Sequence, residues 1–211
     1  MTPKQKTYEL TAQTIIRNLA KRQMEGYYCP DRASAVEKAL SLIPQGSSVA
    51  WGGSMTLAET GLMDAVKNGS YQVIDRDQAK TPDMRKEIYG RVCGADFFLT
   101  STNAITLDGQ LVNIDGHGSR VAFLCFGPDN VIVLAGMNKV VRDVEAGIQR
   151  VKTMAAPPNA VRLNKTTPCT ATGVCADCQA PDCICSQIVI TRRSAVPQRI
   201  KVILVGEELG Y

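Results

Sequence analysis

The sequence has little of what usually marks a protein's function. Its 211 residues include one histidine, His117, and one tryptophan, Trp51. No stretch approaches the roughly 18 consecutive apolar residues of a membrane span. The opening MTPKQKTYELTAQ lacks the apolar core of a secretory signal. A cytoplasmic protein with no membrane association is therefore expected. Lysine and arginine are scattered among 20 acidic residues, with a net charge of only +4 and no long basic run. That argues against nucleic acid as a partner, because phosphate recognition needs a concentrated basic face. There are no internal repeats or low-complexity tracts, and no Walker A, G-x-G-x-x-G or G-x-S-x-G motif. The remainder, 45% hydrophobic and 21% charged, is ordinary for a soluble globular chain, and the length suits one domain over residues 1–211.

Cysteine is the exception. Five of the eight fall between Cys169 and Cys185, in TPCTATGVCADCQAPDCICS, with spacing C-x5-C-x2-C-x4-C-x-C. In a reducing compartment, clustered thiols point to a metal or redox site rather than to disulfides. Cys175-x2-Cys178 is a usual chelating pair and Gly173 lets the chain turn, but the remaining spacing matches neither the common zinc nor the ferredoxin template. Five candidates compete for four positions. Cys183 and Cys185 stand two apart, so one of them is a spare. An iron–sulfur cluster and zinc both remain open. Cys93 and Cys125, flanked by apolar residues, read as core thiols.

Apolar periodicity predicts a helix from Pro3 to about Met24, through Ala12, Ile15, Ile16 and Leu19. Further helices are expected over residues 33–42, 56–67 and 82–91. Strands are expected at Ser47–Trp51, Tyr71–Ile74 and Ala95–Thr100. This alternation implies an α/β fold with a mostly parallel sheet covered by helices. Ala104–Leu107 and Gln110–Ile114 then read as a hairpin turning on Asp108-Gly109. Val121–Phe126 fits strand or helix, and Asn130–Ala135 is a buried strand. A helix carrying Val141, Val144, Ile148, Val151 and Ala155 on its inner face should stop before Pro157-Pro158. Residues 159–186 read as a long loop, ordered by metal. Gln187–Thr191 and Arg199–Val205 read as closing strands.

Three segments place small and polar residues just beyond predicted strands: Gly52-Gly53-Ser54 with Glu59; Asn103 with Asn113 and Asp115-Gly116-His117-Gly118; and Gly136-Met137-Asn138-Lys139. Ligands bind at this edge of open α/β sheets, and backbone amides after glycines attract anions. The structural alternatives are a capped turn, a bend and a solvated turn. Together the segments predict a site for a small anionic metabolite, lined by Gly52, Gly53, Ser54, Asn103, Asn113, Asp115, Gly116, Asn138 and Lys139. Glu59, Asp115 and His117 are the candidate acid–base groups, with no complete catalytic set.

The run NAITLDGQLVNIDGHGSRVAFLCFGPDNVIVLAGMNKVVRDVEAGIQRVKTMAAPPNAVRL resembles the lactate-utilisation (LUD) domain family, and the cysteine tail resembles its stand-alone, cysteine-bearing branch. The resemblance spans roughly residues 5–205. It implies a fold similar to the NagB/RpiA/CoA-transferase group and a role in organic-acid or lactate utilisation, in which a redox partner protein would be natural. It also implies Cys169, Cys175, Cys178 and Cys185 as the metal ligands, on a loop spanning residues 165–186. Cys183 and Ser186 stand where that branch has arginine and asparagine. Two other readings follow: a non-catalytic ligand or redox-partner module with structural zinc, and an isomerase or transferase in which Glu59 would be the acid to nominate. Assembly into homo-oligomers is left open.

Overall fold

The computed structural model describes residues 1–211. Short apolar runs ending in glycine or serine become the centre of a parallel sheet. The strands are β1 (Glu25–Cys29), β2 (Ser48–Trp51), β3 (Gln72–Ile74), β4 (Phe97–Ser101), β5 (Ala104–Thr106), β6 (Leu111–Asp115), β7 (Asn130–Gly136), β8 (Val140–Val141), β9 (Gln187–Thr191) and β10 (Ile200–Val205). Six of them form one sheet in the order β1-β10-β7-β4-β2-β3, with every pairing parallel. The other four form a smaller mixed sheet, β8-β5-β6-β9.

Burial on both faces explains the unbroken apolar runs. In β7, Val131, Val133 and Ala135 pack to one side with Ala12, Ile15 and Leu19 of the Pro3–Lys21 helix. Ile132 and Leu134 pack to the other, with Ala35 and Ala39 of the Arg32–Ser41 helix and with Leu57, Leu62 and Val66. A strand covered on both sides has no polar face to show. The first helix starts at a reciprocal cap, in which Thr2 Oγ1 accepts from the Gln5 amide and Thr2 N donates to Gln5 Oε1.

Several elements depart from expectation. β1 was not foreseen; its only sheet partner is β10, far along the chain. The expected helix over 56–67 is two, Met55–Thr60 and Leu62–Lys67, divided by Gly61 at φ 75°. The hairpin turns on three residues rather than two. Ile105 pairs with Leu111 and Thr106 N donates to Gln110 O, so Leu107 is the extra residue, with Gly109 at φ 87°. Val121–Phe126 resolves as helix, Ser119–Cys125.

The helix beginning at Val144 does not stop before the proline pair. It widens into a π turn at Val151–Ala155 and restarts as Ala156–Arg162. Pro157 and Pro158 fall in the first turn of the restarted helix, where a missing amide hydrogen breaks no helical bond. Residues 159–186 therefore hold the rest of that helix and a further short one, Pro168–Thr172. The segment is also tied down by polar contacts: Asp182 accepts from Lys165 Nζ (2.7 Å) and from the Thr166 amide (2.8 Å), and Asp177 from Lys152 Nζ (2.6 Å). The two closing strands part company, β10 entering the large sheet and β9 the edge of the small one.

Candidate functional site

A cavity of about 530 Å³ opens where the carboxyl ends of β2, β4 and β6 meet the segment after β7. That volume is within the range of small-ligand sites. Its lining includes Gly53 and Ser54, then Asn103 with Asp115-Gly116-His117, and Lys139. One fold thus brings all three polar segments to one rim. The Arg76 guanidinium lies over Gly53, in the space a side chain there would take.

Arg120, from the first turn of the Ser119–Cys125 helix, braces the wall. Its Nη1 donates to Ser101 O (3.2 Å) and to Asn113 Oδ1; its Nη2 donates to Asn103 Oδ1 (2.9 Å) and Ile114 O (3.0 Å). Its Nε faces Asp115 Oδ2 at 3.3 Å. A guanidinium has five N–H groups, and all five are engaged. Arg120 therefore ties the ends of β4 and β6 together and holds nothing back for a ligand. Asp115 is equally occupied, since its Oδ1 accepts from the Gly118 amide at 2.8 Å.

Lys139 lies on the cavity wall but is only 4% exposed. Its Nζ donates to Thr56 Oγ1 at 2.7 Å and to Ser101 Oγ at 3.1 Å, and no carboxylate comes within ion-pair distance. Burial lowers its pKa to about 7, and Arg150 and Arg120 push the same way against the weaker pull of Glu59. Arg150 donates to Asn138 O and Asn103 O, so it too is structural.

Three further cations line the cavity. Lys165 is paired with Asp182, whereas Arg162 meets only the amide oxygen of Asn159. The Arg76 guanidinium makes no hydrogen bond in the fold, and its nearest acid is Asp77 Oδ1 at 3.7 Å, on a largely exposed side chain. The lining thus carries five lysines and arginines against two aspartates. Sequence reasoning missed Arg76, Arg120 and Arg162. Arg76 lies in an Asp75-Arg76-Asp77 run that reads as a solvated turn, while Arg120, two residues past the Gly118 turn, carried the better signal.

Other expected site residues lie elsewhere. Glu59 is exposed, and its Oε2 accepts from the Gly210 amide at 2.7 Å. Asn138 clamps the same tail, its Nδ2 donating to Gly210 O and its Oδ1 accepting from Leu209 N. Neither lines the cavity. Gly52 packs on Arg120 and Phe98 beside a smaller void. Asn113 is fully buried behind Arg120, with its Nδ2 unpartnered. His117 is exposed on the cavity wall.

The cysteine segment is part of this cavity. Pro181 to Ser186 line it, including Cys183 and Cys185. The Cys185 thiol is pushed up to about 12 by burial, then by the neighbouring Cys183, and by Cys175 and Cys169. The Cys175 sulfur accepts the Asp177 amide at 3.4 Å, and the Cys169 sulfur lies 3.2 Å from Thr167 Oγ1. No three or more Cys, His, Asp or Glu side chains are drawn into a metal-binding group. Cys178 is half-buried nearby in sequence, Cys125 is exposed rather than a core thiol, and Cys93 is half-buried against Gly127.

A parallel sheet covered by helices on both faces, with a cavity at its carboxyl edge, defines an α/β class of protein. The model of the LUD domain family matches residues 12–205, and the chain belongs to that family. A DUF162 family protein from Deinococcus radiodurans is similar over 94% of this chain and 98% of its own, with 13% identity and a TM-score of 0.55. Ribose 5-phosphate isomerase A from Neisseria gonorrhoeae is similar over 54% of each chain (13% identity, TM-score 0.36). The eIF2B delta subunit from Chaetomium thermophilum is similar over 54% of this chain and 49% of its own (20% identity, TM-score 0.37). No curated protein matches. No helix is long and apolar enough to cross a membrane.

Proposed function

We propose that the protein binds a small organic-acid anion in the 530 Å³ cavity, as a cytoplasmic component of lactate or related organic-acid utilisation. One observation carries this reading. The cavity wall presents a guanidinium, Arg76, whose N–H groups make no hydrogen bond, and an amine, Lys139, without a carboxylate partner. Uncommitted cations in a concave, partly apolar site are what a carboxylate requires. Arg76 would take the carboxylate in its planar fork, and Lys139 would meet the other end of the ligand.

The cysteine segment fits a thiophilic metal or an iron–sulfur cluster in donor chemistry. Its thiols raise one another's cost of ionisation, as sulfurs gathered without a cation do, and a backbone amide already points at the Cys175 sulfur. Cys169, Cys175, Cys178 and Cys185 would hold the group, which would supply electron transfer if it is iron–sulfur and rigidity if it is zinc. Since Cys183 and Cys185 line the cavity, either would lie beside the bound anion.

The test is a thermal-shift and calorimetric screen with lactate, pyruvate, glyoxylate and inorganic phosphate. One carboxylate should raise the melting temperature with the logarithm of its concentration above its Kd, and Arg76→Ala should weaken its binding about tenfold, the worth of one charge-assisted pair. Binding unchanged in Arg76→Ala would remove the proposed carboxylate seat.

A further inference from the structure

The buried end of Lys139 has a feature that anion binding does not need. Each of its two hydrogen-bond partners has another acceptor for its own proton. The Thr56 hydroxyl can give its proton to Leu209 O (3.2 Å), and the Ser101 hydroxyl to Thr102 O (3.2 Å) or to Thr56 Oγ1 (3.4 Å). Each can then offer a lone pair to Lys139 Nζ. Two acceptors are the number a neutral amine can satisfy, and the third tetrahedral position of the nitrogen then holds a lone pair. Gly210 closes a further side, since a Cβ there would come within 3.4 Å of Nζ. The cavity, which Lys139 lines, is what remains.

We infer that Lys139 is a nucleophile that forms an imine with a small 2-oxo acid bound in the cavity. This rests on the anion-binding reading above, because the ligand's carboxylate would sit on Arg76 and so present the adjacent carbonyl to Nζ. In the step, the nitrogen lone pair forms a C–N bond to the carbonyl carbon while the C=O π pair moves to oxygen. A proton passes from nitrogen to that oxygen. The nitrogen pair then closes the C=N bond as the C–O bond breaks, and the departing hydroxide takes the second nitrogen proton to leave as water. One amine and one carbonyl give one imine and one water, with no change in oxidation state.

The surroundings suit this chemistry independently. No carboxylate pairs with Nζ to hold it protonated, and the buried charges of Arg120 and Arg150 disfavour a further cation there. Those same charges would favour the carboxylate of the bound oxo acid.

The full chain should be treated with glyoxylate, the most electrophilic member of the class, and sodium cyanoborohydride at neutral pH, then mapped by peptide mass spectrometry. The expected result is one carboxymethyl adduct per chain at Lys139, formed on the order of tenfold or more faster than at exposed lysines. Lys139→Met, which removes the amine, should lose that adduct alone. The wild-type map is decisive even if this variant folds poorly. Adducts spread over surface lysines would overturn the inference. Glyoxylate binding seen by calorimetry without an adduct at Lys139 would overturn the imine and leave the anion site standing; absence of both would overturn the two together.

Discussion

The guanidinium of Arg76 occupies the space where Gly53 would carry a side chain, with Nη2 2.6 Å from the position of a Cβ. The far end of a flexible arginine can move, so Gly53→Ala should displace it at a stability change of about 0.5 kcal/mol or less. Carboxylate affinity should fall as far as in Arg76→Ala, and the double variant should be no weaker than either single one. Calorimetric titration of the three proteins checks this; additive losses would mean that the two residues act separately.

Gly136 gives the opposite result. A Cβ there would lie 2.5 Å from Asn138 Oδ1, 2.7 Å from Leu209 N and 2.8 Å from Glu207 O. Two of these are backbone atoms of the segment that Asn138 and Glu59 clamp beside Lys139. Gly136→Ala should therefore cost about 2 kcal/mol or more in urea unfolding and should weaken ligand binding as well.

Much of this arrangement could be read from the residues, and the unreadable parts share a cause. The runs Ser48–Trp51, Phe97–Ser101 and Asn130–Gly136 announce central strands because both of their faces are buried, and the small polar residues after them mark the rim. Glu25–Cys29 is only partly buried for most of its length and acquires strand geometry from β10, so its local sequence carries little sign of it. The proline pair at 157–158 is a stop signal to local rules, yet the π turn before it resets the helical register. Glu59 and Asn138 were placed near the right edge, but their partners are backbone groups at 209 and 210, a tertiary match that spacing does not reveal.

Arg120 should tolerate no substitution, lysine included. Lysine keeps the charge but loses the planar fork that reaches Ser101, Asn103, Asn113, Ile114 and Asp115 at once. Arg120→Lys should lower stability by about 3 kcal/mol, the scale for breaking a buried charged pair. Equilibrium denaturation measures this directly, and a loss below about 1 kcal/mol would mean that solvent already satisfies these groups.

Stability should depend on pH through Lys139. Its folded pKa is lowered to about 7 by burial and by Arg150 and Arg120, below the ordinary lysine value of 10.5. Between those two values the unfolded chain binds a proton that the folded one does not, so stability rises with pH across the window. Below pH 7 both states are protonated and the folded state carries the whole penalty. The slope contributed by one group approaches ~1.4 kcal/mol per pH unit. Urea unfolding from pH 7 to pH 10 should show this rise in the wild type and lose that component in Lys139→Met.

Metal content should follow the thiols unequally. Protein purified without oxygen is expected to carry iron with sulfide, and to be brown, or else zinc, and to be colourless. Cys175→Ser should reduce that content to background, whereas Cys183→Ser should leave it largely intact. Equal loss in both variants would bring Cys183, which lines the cavity beside Cys185, into the ligand set.

The position of β10 has a consequence for how the chain is made. It lies between β1 and β7 in the large sheet, although residues 200–205 are made well after both of those strands. Until they emerge, β1 has no strand to pair with, and the apolar stripe of the Pro3–Lys21 helix lacks Val202 and Leu204 beneath it. The first thirty residues therefore complete their packing only through a contact far along the chain, the kind of long-range closure that slows folding and leaves apolar surface exposed in the meantime.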